Sequence, residues 1–403
     1  MNYIIMFIII SIIFLPGFYV NGILINFIDF AIPISCFYVG IVKMKIIKEQ
    51  KYLFIYILAM YMSLIVAELL GIRVDVSIIL KSTRVLFSIF IYNIIRRYIE
   101  NDKYDINKVI KLILYSGCAS AILGILFFAS QINVYRAGQT MYFMGKVMYR
   151  AGGVFAEAGT FSLMMSLLTV FAIETFLKSK FRVLSLTCLI LCLIGIVISD
   201  TRIAFIAITC VLVISLCSIG KIKIKNIVLA VGIIAISLIV YNNNVFLQRY
   251  VNERVINTLT GLFMDSSSKN EISSGRFMIW KERIGDYFSS DFIQIVFGKG
   301  YKVTEDSLAD NNYISAFYNT GIIGGIAFIS FWLINVKKLF VRLRGVRDKL
   351  IYKIYRNCLI VYLIYMFTCD AMTMVRPFYF FIVISTIYYY YIKSIVEVYN
   401  KDN

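Results

Sequence analysis

Apolar and polar residues fall along this chain in long blocks. Apolar runs of about twenty residues recur from one end to the other, and that length crosses the ~30 Å hydrocarbon core of a bilayer. Twelve spans are predicted, at about 3–20, 22–42, 52–71, 76–95, 109–130, 159–177, 183–199, 203–219, 226–242, 314–336, 356–374 and 377–394. The first run, Tyr3 to Val20, has no basic segment before it and no small-residue cleavage site, so it reads as a span and not as a removed leader. The predicted fold class is an all-α integral membrane protein with about twelve transmembrane helices. It forms one polytopic domain over residues 1–403, interrupted by a large extracytoplasmic loop at 243–313.

Two connections are long, roughly 131–158 and 243–313, and loops of that length usually carry function or are disordered. The larger holds a polar linker, 265–275, followed by the segment RFMIWKERIGDYF. There Phe277, Trp280, Ile284, Tyr287 and Phe288 recur at helical spacing behind a capping candidate, Ser274. An amphipathic helix follows. It lies on the outer membrane surface, covers a cavity, or packs on a small core of the loop itself.

Composition sharpens this picture. The chain is 60% hydrophobic over 403 residues, with a mean hydropathy of +0.82, more apolar surface than a soluble domain can hide. The net charge of +18 suggests nucleic acid until the charges are placed. Lys43, Lys45, Lys48 and Lys51 share one connection, and Arg96, Arg97, Lys103, Lys108 and Lys111 share the next on that side. Lys178, Lys180 and Arg182 follow, then Lys221, Lys223 and Lys225, then the run from Lys337 to Arg356. All lie on one side of the membrane if both termini are cytoplasmic, which is the positive-inside pattern. It accounts for most of the charge, so no nucleic-acid partner is expected. The eight cysteines sit in or beside apolar runs, none as Cys-x-x-Cys, and there is no histidine. They read as small buried hydrophobes, and neither a metal site nor a cofactor is expected.

Against that background the cations on the opposite side stand out. Lys81 and Arg84 lie one turn apart in the outer half of the fourth span, a depth at which a charge is costly and usually faces a cavity. Arg150 precedes the sixth span, Arg202 lies between the seventh and eighth, Arg276 opens the loop helix, and Arg376 lies between the last two spans. Acids share this side: Asp29, Glu68, Glu157, Asp200, Asp310 and Asp370. Each cation has a structural account as well. Asp29 or Glu68 neutralises Lys81 or Arg84 inside the bundle, and Arg202 caps a turn with Asp200. Taken together they suggest a recurring anion, since guanidinium groups bind phosphate through planar, bidentate hydrogen bonds. A lipid with phosphates at headgroup level fits.

Four segments carry a likeness to a known family. YRAGGVFAEAGTFSL (149–163) is similar to an Arg-x-x-Gly-x-Phe-x-Glu segment entering a span. ISDTRIAFIA (198–207) is similar to a Ser-x-Ser-Arg turn, with Asp200 and Thr201 as departures beside Arg202. SSGRFMIW (273–280) and FGKGY (297–301) are similar to a Gly-Arg-x-x-x-Trp segment and a Gly-x-Gly turn. DNNYISAFYNTGIIGG (310–325) is similar to a His-Asn-x-Tyr-Leu segment followed by Gly-x-x-Gly, with Asp310 where ligases of the group commonly carry histidine. In this order and on this topology the segments resemble the Wzy-type O-antigen polymerases, within the wider O-antigen polymerase and ligase superfamily.

The resemblance implies a membrane glycosyltransferase of the bacterial inner membrane that needs no metal. Its substrate is an oligosaccharide repeat unit linked to undecaprenyl diphosphate, handled on the outer face of the membrane. A chain-length regulator is the protein partner it suggests. Arg150, Arg202, Arg276, Arg84, Lys81 and Arg376 are the candidates for the diphosphate. Asp310 and then Glu157 are the candidates for the general base. Asn311, Asn312, Tyr313 and Trp280 are the candidates for sugar contact, with Phe317 and Tyr318 as further flat apolar faces. Gly321, Gly324 and Gly325 are expected to let helices approach closely. A ligase that transfers finished polymer to lipid A-core, and a flippase or transporter for the same lipid-linked sugar, remain as alternatives.

Overall fold

The computed structural model describes residues 2–20, 23–39, 46–72, 74, 76–100, 105–132, 140–143, 146–155, 157–178, 181–217, 276–300, 310–340 and 349–402. The helices of the first half are α1 (Asn2–Ile13), α2 (Phe27–Val39), α3 (Lys48–Leu69), α4 (Val76–Glu100), α5 (Ile106–Ala129), α6 (Ala158–Leu177), α7 (Arg182–Ile198) and α8 (Arg202–Cys217). Those of the second half are α9 (Arg276–Phe288), α10 (Phe292–Phe297), α11 (Asn312–Lys337), α12 (Leu350–Tyr365) and α13 (Val375–Asp402). Among the described residues, α3, α4 from Ile78, α5, α6 and α11 are long and apolar enough to cross a membrane. The chain is thus an α-helical membrane protein. The predicted ninth span, 226–242, and the linker 265–275 lie outside the described residues.

Three predicted features change. The first span was expected to reach residue 20, but α1 stops at Ile13, ahead of Pro16 and Gly17, two poor helix formers. In its place stands an antiparallel hairpin of β1 (Gly17–Val20) and β2 (Ile23–Asn26), paired from Gly17 with Asn26 to Val20 with Ile23. Asn21-Gly22, the dipeptide most favourable to a two-residue hairpin connection, separates the strands in the sequence. Next, the loop predicted at 131–158 contains a second hairpin, β3 (Thr140–Phe143) with β4 (Lys146–Tyr149). Finally, the eleventh span is shifted. Its helix starts at Leu350 and ends at Tyr365, and residues 366–374 form turns. Hydropathy starts a span where charges end, but Lys353 and Arg356 are good helix formers and extend α12 backwards. At its far end the Thr368 hydroxyl donates to the Tyr365 carbonyl and the Thr373 hydroxyl to the Asp370 carbonyl. Such local bonds compete with the helical ladder.

Helix α6 is the most enclosed of the long apolar helices. Its small polar residues form the contacts. Ser162 and Ser166 lie 3.0 and 2.9 Å from the Tyr365 hydroxyl of α12, and Thr175 lies 2.9 Å from Ser185 of α7. Phe161 on α6 fills a slot between Gly124, Gly153 and Gly195, where an added Cβ would meet its ring. Tight packing of this kind holds helices together where lipid removes the usual hydrophobic drive.

Helix ends that the charge pattern assigns to one side of the membrane do meet. At one end, Arg376 at the head of α13 donates to the carbonyls of Ile12, closing α1, and Val154, ahead of α6. At the other end, Lys338 after α11 pairs with Glu49 at the head of α3 at 2.6 Å. Glu174 of α6 accepts from Ser215 of α8 and Asn357 of α12, at 2.7 Å each.

Candidate functional site

The head of α11 is built from the acid and two amides that open DNNY. Asn311 is the N-cap: its Oδ1 accepts from the backbone N–H groups of Tyr313 and Ile314, at 3.0 and 3.2 Å. That satisfies two of the donors every helix start leaves without an internal partner. Its Nδ2 donates to the Phe367 carbonyl. Asn312 is fully buried. Its N–H donates to the Met366 carbonyl at 2.8 Å, its Oδ1 accepts from Met372 N at 2.9 Å, and its Nδ2 donates to Asp370 Oδ1. The two amides expected to meet sugar hydroxyls therefore serve the chain: one caps the helix, and the other staples the turns between α12 and α13 onto it. Tyr313 is half-buried, donates to the Leu363 carbonyl and packs against Phe328 and Phe367.

Around this head several charges converge. Asp310 occupies a left-handed backbone conformation, φ 46°, and its Oδ2 accepts from Arg276 Nε at the start of α9 at 3.3 Å. Asp370 sits in the 366–374 connection. Burial raises its carboxyl to about 6, against the opposing pull of Lys81 on α4 and its bonds with Thr373 and Asn312; Asp310 adds to the rise. The neighbouring Cys369 thiol is pushed up by burial, and it feels Asp370, Asp310, Arg276 and Glu157. So Lys81, Glu157, Arg276, Asp310 and Asn312, predicted from four separate parts of the sequence, gather at one end of the bundle. Glu157 is exposed there, with the Thr160 hydroxyl 3.4 Å from its Oε2.

Three of the remaining predicted cations, Arg84, Arg376 and Arg150, are engaged by the scaffold. Arg84 donates through Nε and Nη2 to Asp29 Oδ2, at 3.2 and 2.9 Å, and both side chains are largely buried. This is the neutralising pair that the sequence allowed. Arg376 is buried, donates to two backbone carbonyls and stacks 4.0 Å over the Phe155 ring. Arg150 donates to the carbonyls of Ser199 and Asp200, at 2.8 and 3.0 Å, and to the Thr201 hydroxyl. It thus closes the carbonyl end of α7, a favourable place for a cation. Arg202 opens α8 on the same turn, half-buried.

Helices α9 and α10 are fastened to α11 at a break. Gly321 adopts φ 67°, ψ −170°, which interrupts α11. The carbonyls of Tyr318 and Asn319 just before it accept from Lys299 N and Gly300 N, at 2.9 and 3.2 Å. The backbones come so close that a Cβ on Gly298 would lie 2.2 Å from the Asn319 oxygen, and one on Gly321 2.2 Å from the Val296 oxygen. Side chains reinforce the joint. Tyr318 donates to Asp286 Oδ2 at 2.6 Å, Lys299 pairs with Asp286 Oδ1 at 2.7 Å, and Arg283 donates to the Tyr318 hydroxyl at 3.3 Å. The Lys299 ammonium, first among these partners, holds the Asp286 carboxyl below its usual range. Tyr318 thus belongs to this joint. Trp280 lies half-buried on α9, whose Met278, Ile284 and Phe288 are exposed.

In the sequence Asp370 reads only as an outer acid, because hydropathy places it inside a span. The signal available was its polar neighbourhood, Thr368 to Thr373. Asp286 and Lys299 carried no distinguishing signal among the loop charges. Among the described residues, no three Cys, Asp or Glu side chains gather as a metal-ligand group. No family model matches the chain, and no curated protein matches it.

Proposed function

We propose that this chain joins oligosaccharide repeat units carried on undecaprenyl diphosphate into a surface polysaccharide, on the outer face of the bacterial plasma membrane. One observation carries the reading. Arg276 pairs with Asp310, and Lys81, Glu157 and Asp370 lie within electrostatic reach of the same end of the bundle, which the charge pattern assigns to the outside. The four family-like segments supply the substrate class. In the reaction, a hydroxyl of the acceptor sugar gives its proton to a carboxylate of this cluster as its oxygen attacks the anomeric carbon of the growing chain. The bond from that carbon to the diphosphate breaks, and the electron pair leaves with the phosphate. Arg276 faces the departing charge, as preorganised cations do at other sites where negative charge develops. Asp310, paired to it, orients its guanidinium. A single in-line displacement inverts the donor carbon. Arg84, Arg150 and Arg376 serve the scaffold in this reading, and Arg276 and Lys81 serve the phosphates.

Deleting the gene in its source strain and resolving the surface polysaccharide on a gel tests this. A ladder that collapses to a single repeat supports polymerisation. Loss of all added sugar from the core overturns it in favour of a ligase or a flippase. An unchanged ladder overturns all three.

A further inference from the structure

We propose that Asp370, held in place by Asn312, is the carboxylate that takes the proton from the acceptor hydroxyl. The inference rests on the polymerase reading above and assigns a step within it. Asp310 shares Oδ2 with Arg276, 3.3 Å away, and in this reading orients that guanidinium, and Glu157 is exposed, where water competes for any proton it handles. Asp370 has neither feature. It is partly covered, in turns that Asn312 pins at both ends through Met366 and Met372. Asn312 is buried and fixed by its own backbone, so the bond from its Nδ2 to Asp370 Oδ1 sets where the carboxylate stands. An ionised carboxylate offers about four acceptor positions, so it keeps capacity for a substrate hydroxyl.

The surroundings suit the role. Lys81 acts on Asp370 from α4, Asp310 and Asn312 act on it from the head of α11, and Thr373 from its own connection. Tyr362 of α12 also feels its charge, and Glu157 and Arg276 act on the adjoining Cys369. Burial is the largest influence and raises the carboxyl to about 6. Above that pH the group is ionised, and it is a stronger base than an exposed carboxylate. A base works best when its pKa lies near the working pH. The step balances: the acceptor O–H proton passes to Asp370, the acceptor oxygen bonds the anomeric carbon, and the diphosphate leaves with the electron pair of the broken bond. Asp370 touches the reacting hydroxyl, and Asn312 is a positioning residue.

The test uses full-length protein in lipid nanodiscs and lipid-linked repeat units isolated from the source strain. Polymerisation by the wild type should fall as pH drops through about 6. Asp370→Asn should lose a hundredfold to ten-thousandfold in rate, on the order general-base help supplies, while still binding undecaprenyl diphosphate. Asn312→Ala removes a bond to the charged form and should move the inflection to higher pH; a merely structural role lowers the rate equally at every pH. Wild-type rate and profile in Asp370→Asn overturn the proposal. A second readout needs neither activity nor a variant that folds. A hydrophobic carbodiimide, which attacks protonated carboxyls, should label Asp370 increasingly as pH falls through about 6, as read by mass spectrometry. Labelling that is flat with pH overturns the proposal whether or not polymer forms. Labelling with that midpoint, in a wild type that makes no polymer at any pH, overturns the polymerase reading and with it the base.

Discussion

Replacing Gly321 by alanine should loosen the α9–α10 segment from α11 while leaving the helical bundle in place. At φ 67°, ψ −170° only glycine is comfortable, and another residue costs about 1–3 kcal/mol there. The added Cβ would also lie 2.2 Å from the Val296 oxygen, 2.4 Å from its carbonyl carbon and 2.6 Å from Gly298 N. All three are backbone atoms, and no rotamer change relieves the contact. Two backbone hydrogen bonds resist separation, Lys299 N to Tyr318 O and Gly300 N to Asn319 O, each worth about 1 kcal/mol net. Strain and clash together offset those ~2 kcal/mol, so the joint opens more often, held then by the Tyr318–Asp286 and Lys299–Asp286 contacts. The opening free energy should fall by about 2–4 kcal/mol, or roughly 30- to 1,000-fold in protection at about 1.4 kcal/mol per decade. Hydrogen exchange with mass spectrometry on the peptide covering 292–300 reads the two amides directly. Gly285→Ala on α9 is the control, since a Cβ there meets nothing within 4 Å. Its protection should be equal or slightly higher, as alanine favours a helix over glycine. Unchanged protection of Lys299 and Gly300 in Gly321→Ala would refute the close-approach account.

Arg276→Lys should impair polymer length nearly as much as Arg276→Ala, because lysine keeps the charge but not the planar fork; near-normal chains from the lysine variant at normal protein level would make the role merely electrostatic. Arg84→Ala leaves Asp29 buried without its partner and should cost about 3–5 kcal/mol, seen as a lower melting temperature in detergent and partly restored by adding Asp29→Asn; unchanged melting with lost polymer would return Arg84 to the substrate site. Cysteine at Ser267, in a cysteine-free background, should react with a membrane-impermeant thiol reagent while the inner membrane is intact; labelling only after that membrane is broken contradicts the outward placement of the 243–313 loop.

The long helices were legible in the sequence because length and hydropathy are what a bilayer selects. For α3, α5 and α6 the predicted and observed ends differ by a few residues. Hydropathy is blind to backbone conformation, so the β1–β2 hairpin was hidden inside an apolar run although Pro16-Gly17 and Asn21-Gly22 mark it. The same blindness put Asp370 inside a span. The candidate site is expected as a set of residue types on the outer side, and Arg276 with Asp310, and Lys81 and Glu157 within electrostatic reach, lie at one end of the bundle. Partnership was not legible. Nothing in the one-dimensional pattern separates Arg84, matched by an acid 55 residues away, from Arg276, matched by one 34 residues away. Nor does it reveal that Asn312 faces a turn some sixty residues later, since tertiary contact decides which amide a turn consumes.

The sorting of the outer cations bears on what kind of chemistry the site supports. Arg84, Arg150 and Arg376 are engaged by Asp29, by the end of α7 and by backbone carbonyls. What stands at the head of α11 is Lys81 and Arg276 among Asp310, Glu157 and Asp370. A simple trap for an anionic headgroup would collect cations and keep carboxylates away, because each acid at short range opposes the anion. Displacement at an anomeric carbon needs both signs at once: a proton leaves the acceptor while negative charge grows on the departing diphosphate. Cations and carboxylates interleaved within one end of the bundle match that separation of charge. The mixed character of the cluster, more than the number of arginines, is what supports the group transfer proposed above.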